Sequence, residues 1–221
     1  MIDIIYIIVS SEFEKDRLNY LQKYINENFI KYKDSIKYYE PYYKNRDEKL
    51  IKEYNYHSKL KIAEKMLFST YTKMFKEILE LKYENILILE SDVLFLNDFE
   101  NRLDEIYNEW ISNRKNEVSM IFLGNGCNLI PNENNKISNN LYLQNSSKCT
   151  DSMLCNWKSI DYINNYINKL NIIDKPIDFM LNEILGEKCN GYWIKYPIVI
   201  QGSQNGTYQS TIQTHFHNFF A

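Results

Sequence analysis

The residues best suited to chemistry are two carboxylates one position apart, Glu90 and Asp92, placed directly behind the apolar run Ile86-Leu87-Ile88-Leu89. A short apolar run that ends in acidic residues reads as a buried strand leaving its sheet at the carboxylates, and α/β sheets collect ligands at the carboxyl ends of their strands. Carboxylate oxygens suit hard divalent cations such as Mn²⁺ or Mg²⁺. Such a cation can bridge the oxygens of a diphosphate whose charge must be stabilised as it departs. An ordinary acidic turn explains the same spelling, because negative charge is favoured ahead of a helix N-terminus.

Other residues could join that chemistry. Val9, Ser10 and Arg17 lie at or just beyond the end of the first apolar run and are candidates for holding a nucleotide. Arg17 also suits a solvated helix charge. Asp178 can serve as a general base toward an acceptor hydroxyl, or simply as a first-turn acid in a helix opened by Pro176. His215 and His217 alternate, so a strand would turn both to one face and bring them within reach of a cation; a solvated tail is the alternative. Gly202, Ser203 and Gly206 suit either a loop closing over a ligand or a surface turn. Among the tryptophans, Trp157 and Trp193 are candidates for stacking on a sugar, whereas the apolar neighbours of Trp110 place it in a core.

The elements that must position these groups alternate in type. The spacing predicts a buried strand over 4–9, a helix over 12–30 with Ser11 as N-cap, and a short strand over 35–39. The segment 40–47 reads as a polar, aromatic loop. A long helix is predicted over 57–81, the acidic strand over 86–89, a helix over 98–110 capped by Asn97 or Asp98, and a strand over 118–123 that stops at Gly124-Asn125-Gly126. The second half is more mixed. It offers short strands at 142–143 and 153–157 flanking an exposed connection, a helix capped by Ser159, a helix over 177–185 closed by Gly186, and a strand over 192–200 broken or edged by Pro197. This alternation points to an α/β sandwich with a largely parallel sheet.

Composition bounds the rest. A chain of 221 residues, 44% hydrophobic and 25% charged, is long enough for one well-buried domain, and residues 1–221 are taken as one. A net charge of −3 gives no basic field, so sequence-independent nucleic-acid binding lacks its main driving force. The first apolar run is far shorter than the ~20 residues that span a bilayer and carries no basic leader, so a cytoplasmic protein without a transmembrane segment is expected. Four cysteines, at 127, 149, 155 and 189, show no C-x-x-C spacing and read as free thiols in a reducing compartment.

The segment Leu87-Ile88-Leu89-Glu90-Ser91-Asp92-Val93 resembles the acidic motif of glycosyltransferase family 25, the lipopolysaccharide and procollagen galactosyltransferase group. Other segments resemble the family in order: Ile5 to Val9 with Asp16-Arg17-Leu18, Ser69 on the preceding helix, Asp151-Ser152-Met153 onward, Pro176-Ile177-Asp178, and Pro197 to Gln201 with Ser203 and Ser210. The resemblance implies a GT-A fold that moves a hexose, galactose or glucose, from a UDP-sugar to a hydroxyl on a glycan or protein, with Mn²⁺ or Mg²⁺ and with inversion. It implies Asp92 as metal ligand and catalytic group, Glu90 as its neighbour on metal or ribose, and Ser69, Ser91, Gly202 and Ser203 among the donor-binding positions. Two positions depart from the family: Ser91 stands where it has a carboxylate, and Thr70 where it has a histidine. A GT-A-like domain that binds nucleotide-sugar or glycan without turnover, or assembles with an active transferase, is therefore the alternative. A nucleotidyltransferase is a weaker reading, because no Gly-rich loop follows the first strand. The sugar, the acceptor and self-association as a homodimer stay open.

Overall fold

A computed structural model describes residues 1–43, 47, 51, 54–114 and 117–209. Its strands are β1 (Ile4–Ile8), β2 (Ile36–Tyr39), β3 (Asn85–Glu90), β4 (Val93–Phe95), β5 (Ser119–Phe122), β6 (Leu141–Leu143), β7 (Ser152–Asn156), β8 (Asn190–Ile194) and β9 (Val199–Gln201). The helices are α1 (Lys15–Asn28), α2 (Ile62–Leu81), α3 (Phe99–Arg114), α4 (Trp157–Ile167) and α5 (Ile177–Ile184). The central sheet runs β2-β1-β3-β7-β5-β8-β6, and β4 pairs with β9 in a separate antiparallel ladder. β2, β1, β3, β5 and β8 share one direction; β7 and β6 are reversed. The molecule is thus a mixed α/β fold with a mostly parallel sheet flanked by helices.

The continuous apolar runs of β1 and β3 are explained by burial on both faces. Ile4, Tyr6, Ile8, Ile86 and Ile88 face one core, with Phe68, Tyr71, Met74, Phe75 and Ile78 of α2. Ile5, Ile7, Leu87 and Leu89 face the other, with Leu21 and Ile25 of α1 and Phe99, Leu103, Ile106 and Trp110 of α3. Each successive residue therefore enters a different core, and a one-residue slip would exchange them all. Trp110 lies in that second core, as its neighbours predict, and its indole N–H donates to Ser119 Oγ at 2.9 Å.

Several element boundaries differ from the sequence-based expectation. α1 starts at Lys15, not beside Ser11, because the hydroxyls of both Ser10 and Ser11 bond to the Glu40 carboxylate at 2.9 and 3.0 Å. α2 starts at Ile62: Lys61 takes the N-cap position, opposite Glu64, while Tyr56 and His57 form extended contacts to Ile173. α4 is capped by Asn156, whose Oδ1 accepts from Ser159 N at 2.9 Å, so Ser159 sits inside the first turn. The short strand expected over 153–157 beside an exposed connection is β7, and it lies buried between β3 and β5. Its apolar core of Met153, Leu154 and Cys155 is too short to give a period. The strand expected over 192–200 is two strands in two sheets. The turn between them is held by Arg102, whose guanidinium donates to the carbonyls of Tyr196 and Pro197 at 2.8 and 3.3 Å.

Candidate functional site

One end of the sheet gathers the carboxyl ends of β1, β3, β5 and β8 with the amino end of the reversed β7. At this end Glu90 closes β3, and Ser91 and Asp92 form the turn into β4. β7 adds Thr150 and Asp151 from the opposite direction, and Glu90 N donates to Asp151 O at 2.8 Å. Glu90 Oε1 accepts from the Tyr71 hydroxyl of α2 at 2.9 Å and from Thr150 Oγ1 at 2.7 Å. Asp92 is 6% exposed, and its Oδ1 is buried with no hydrogen-bond partner among the described residues. Asp151 is also buried; its Oδ2 accepts from Ser152 Oγ while its Oδ1 has no partner among the described residues.

Two of these carboxylates, Glu90 and Asp151, hold their protons tightly under so little solvent. Burial, then the charge of Asp92, pushes Glu90 up to about 7 despite the bonds from Thr150 and Tyr71. Burial and the Glu90 charge push Asp151 up to about 8. Burial, followed by the same Glu90 carboxylate, holds the Tyr71 phenol well above its ordinary range. Lys148 is buried beside this group, with Nζ 5.4 Å from the centre of the Trp193 ring; burial lowers it, and the Asp151 charge opposes that.

Ser91 turns away from Asp92. Its hydroxyl donates to Glu14 Oε1 at 2.7 Å and accepts from Arg17 Nη1 at 2.8 Å. Arg17 also pairs with Glu14 at 2.8 Å, donates to Gln209 O at 2.6 Å, and lies 5.0 Å from the centre of the Tyr208 ring. The first turn of α1 and the segment after β9 are thereby tied to the acidic turn. Gly202 completes the tie: its N–H donates to Asp92 O at 2.7 Å, and a Cβ there would stand 2.9 Å from that oxygen and 2.6 Å from the Tyr208 ring. Only glycine allows this approach.

The remaining sequence-predicted residues divide. The Val9 side chain belongs to the core, and its N–H donates to Tyr39 O. Ser10 is buried, with N bonded to Glu14 and Oγ to Glu40. Ser69 is paired with the Tyr56 hydroxyl at 2.6 Å. Thr70, in place of the expected histidine, accepts from Tyr42 N at 3.0 Å and donates to Met66 O at 2.8 Å, so it fastens the loop after β2 to α2. Asp178, in the first turn of α5, accepts from Phe179 N; burial raises it, and its charge is felt at Glu90, Cys127 and Cys149. Ser203 follows Gly202 in the turn after β9. His215, His217 and Ser210 lie outside the described residues.

Sequence reasoning missed Asp151, Thr150, Tyr71 and Glu14. Tyr71 was hidden among 19 tyrosines. Asp151 entered only within the resembling segment Asp151-Ser152-Met153, with no role of its own, because nothing in the linear pattern brings it beside Glu90. Of the expected stacking candidates, Trp157 opens α4 at the other end of the sheet, whereas Trp193 is buried at the site end of β8 beside Lys148, with its N–H on Ser146 O at 2.8 Å. A cleft of about 680 Å³ at that other end is lined by Asp3, Asn85, Asn156 and Trp157, and Trp157 is the one predicted candidate it contains among the described residues.

Whether this site fits a cation depends on its free oxygens. Among the described residues no cluster of three or more His, Cys, Asp or Glu side chains has metal-binding geometry. The described residues alone therefore form no all-protein cage. Asp92 with an unpartnered buried oxygen beside Glu90 suits a Mg²⁺-like cation, which takes one or two carboxylates and fills its remaining positions with water and phosphate.

No family model matches the chain, and no curated protein matches it. Among solved structures, the one titled "Crystal Structure of A197 from STIV" is similar at 10% identity and a TM-score of 0.45, covering 90% of this chain and 83% of that one. A likeness so distant carries no argument about activity. Among the described residues no helix is long and apolar enough to cross a membrane.

Proposed function

We propose that this chain is a metal-assisted GT-A-type glycosyltransferase, similar to family 25, that moves a hexose from a UDP-sugar to a hydroxyl acceptor with inversion. The observation that supports it is the buried, unpartnered Oδ1 of Asp92 at the carboxyl end of β3, next to Glu90. Asp92 and Glu90 would hold the cation, which when bound supplies charge to stabilise a departing diphosphate. Arg17, fixed by Glu14 and Ser91, sets a cationic group at the carboxyl end of β1, where a nucleotide phosphate would lie. Gly202 brings the backbone of the 202–208 turn against Asp92 and limits water there. Asp178, raised by burial, would accept the proton of the acceptor hydroxyl. Within this reading the donor is cytoplasmic UDP-galactose or UDP-glucose.

A second reading, a nucleotide-sugar-binding domain without turnover, is favoured by Ser91. Its hydroxyl ties Glu14 and Arg17 and supplies no third carboxylate to the turn. One assay separates the two. UDP-galactose and UDP-glucose are incubated with Mn²⁺ and a panel of sugar acceptors, and released UDP is measured. The transferase reading expects UDP release that the Asp92→Asn variant reduces at least ~100-fold, the scale of losing a catalytic electrostatic group. Tight Mn²⁺–UDP binding with no release on any acceptor would support the binding module instead.

A further inference from the structure

Cys127 and Cys149 lie on different loops and meet with their sulfurs 3.8 Å apart. Cys127 is in the turn that leaves β5, and Cys149 precedes β7; the two strands are paired, so the sheet holds both loop ends in place. The other two cysteines, Cys155 and Cys189, are buried in the core.

Gln204 lies against the pair. Its Oε1 accepts from Cys127 N at 2.8 Å, and its Nε2 points at Cys149 Sγ at 3.5 Å and Cys127 Sγ at 3.8 Å. The amide thus faces both sulfurs, and Gln204 belongs to the turn whose Gly202 is bonded to Asp92.

The two thiols are unequal. Cys127 is exposed, and the bond from Cys149 lowers it to about 6, so its thiolate is well populated near neutral pH. The same bond, followed by burial, keeps Cys149 protonated. A disulfide needs its sulfurs at about 2.05 Å, a closure of roughly 2 Å that rotation of an exposed side chain can supply.

We infer that Cys127 and Cys149 form a reversible dithiol–disulfide pair, with Cys127 attacking a peroxide and Cys149 resolving the product. The Cys127 thiolate attacks one peroxide oxygen, the O–O bond breaks, and hydroxide leaves from hydrogen peroxide with Cys127 as its sulfenic acid. The Cys149 sulfur then attacks the Cys127 sulfur, and the S–O bond breaks as the S–S bond forms. The departing hydroxide takes the Cys149 proton and becomes water. Two electrons pass from the two thiols to the peroxide, and a dithiol reductant returns them. The inference does not rest on the transferase reading.

The test treats the full chain with a small excess of hydrogen peroxide at pH 7. Free thiols are then counted after denaturation, and the protease-derived peptides are weighed. The expected result is a fall from four thiols to two, with the peptides carrying Cys127 and Cys149 joined and two hydrogens lighter, fully reversed by dithiothreitol. Cys149→Ser should leave Cys127 as a sulfenic acid that a dimedone probe captures, and Cys127→Ser should keep three thiols through the same exposure. A joined peptide formed equally fast in urea would overturn the inference, since the fold would then contribute nothing. So would a folded protein in which Cys127 proceeds to sulfinic acid while Cys149 stays free.

Discussion

Asp92, Glu90 and Arg17 show how differently three charged side chains are treated within one turn of chain and one helix. Asp92 keeps an oxygen without a partner, while Arg17 is engaged on every side, by Glu14, Ser91, Gln209 and the Tyr208 ring. The Arg17–Glu14 pair is nearly buried, with side chains 12% and 9% exposed, so removing one partner strands the other's charge. Arg17→Ala is expected to lower the unfolding free energy by about 3 kcal/mol in urea titrations, and Arg17→Lys to recover only part, because an ammonium cannot reproduce the guanidinium fork. Equal stability of Arg17→Ala and the parent would show that the pair contributes nothing. The acidic residues were legible in the sequence because they end an apolar run; what surrounds them was not. Ser91 looks like a missing carboxylate in the linear motif, yet it is a bridge between Glu14 and Arg17, partners 77 and 74 positions away that no local pattern could reveal.

At the scale of elements, what strands β1, β3 and β5 share is an apolar run of four residues or more, and each was legible for that reason. β7 was expected as a short strand and is one, but its reversed direction and its place between β3 and β5 were not legible, because those neighbours come from distant parts of the chain. Helix starts were the least legible, since Ser11 and Ser159 bond to groups other than those a capping rule assigns. The turns at the site depend on close approach. A Cβ on Gly126 would stand 2.2 Å from the Lys148 carbonyl oxygen, a backbone atom that cannot step aside without moving the entry to β7. Gly126→Ala is therefore expected to cost about 2–4 kcal/mol of stability, the range for a steric clash the fold cannot relieve, and to separate the Cys127–Cys149 pair. Gly206, whose added Cβ meets nothing, has φ +85, so Gly206→Ala should cost only about 1 kcal/mol of backbone strain. Denaturant midpoints of the two variants check the ranking; a larger loss for Gly206→Ala would contradict it.

For the molecule as a whole, the buried acidic group sets how stability responds to pH. Glu90 and Asp151 bind protons more tightly folded, at about 7 and about 8, than in the unfolded chain, where their ordinary values are 4.5 and 3.8. Between those limits the native state carries more protons, so this contribution is complete at low pH and is lost as pH rises through about 7 to 8. In EDTA the protein should lose stability between pH 5.5 and 8.5, and Asp151→Asn should flatten that slope by on the order of 1 kcal/mol, read from thermal or urea unfolding across the range. A slope unchanged by the variant would remove Asp151 from the account. On the proposed reading a divalent cation would compete with those protons, so the cost that the acidic cluster imposes at high pH would become a gain on binding of cation and diphosphate. The most direct measurement is calorimetric titration of Mn²⁺ together with UDP into the parent chain and Asp92→Asn at pH 8. The account predicts saturable binding to the parent that strengthens from pH 6 to pH 8 and weakens at least ~10-fold in the variant, whose fold is unchanged by circular dichroism. Equal affinity in both proteins, or no Mn²⁺-dependent UDP binding to the parent, would contradict it.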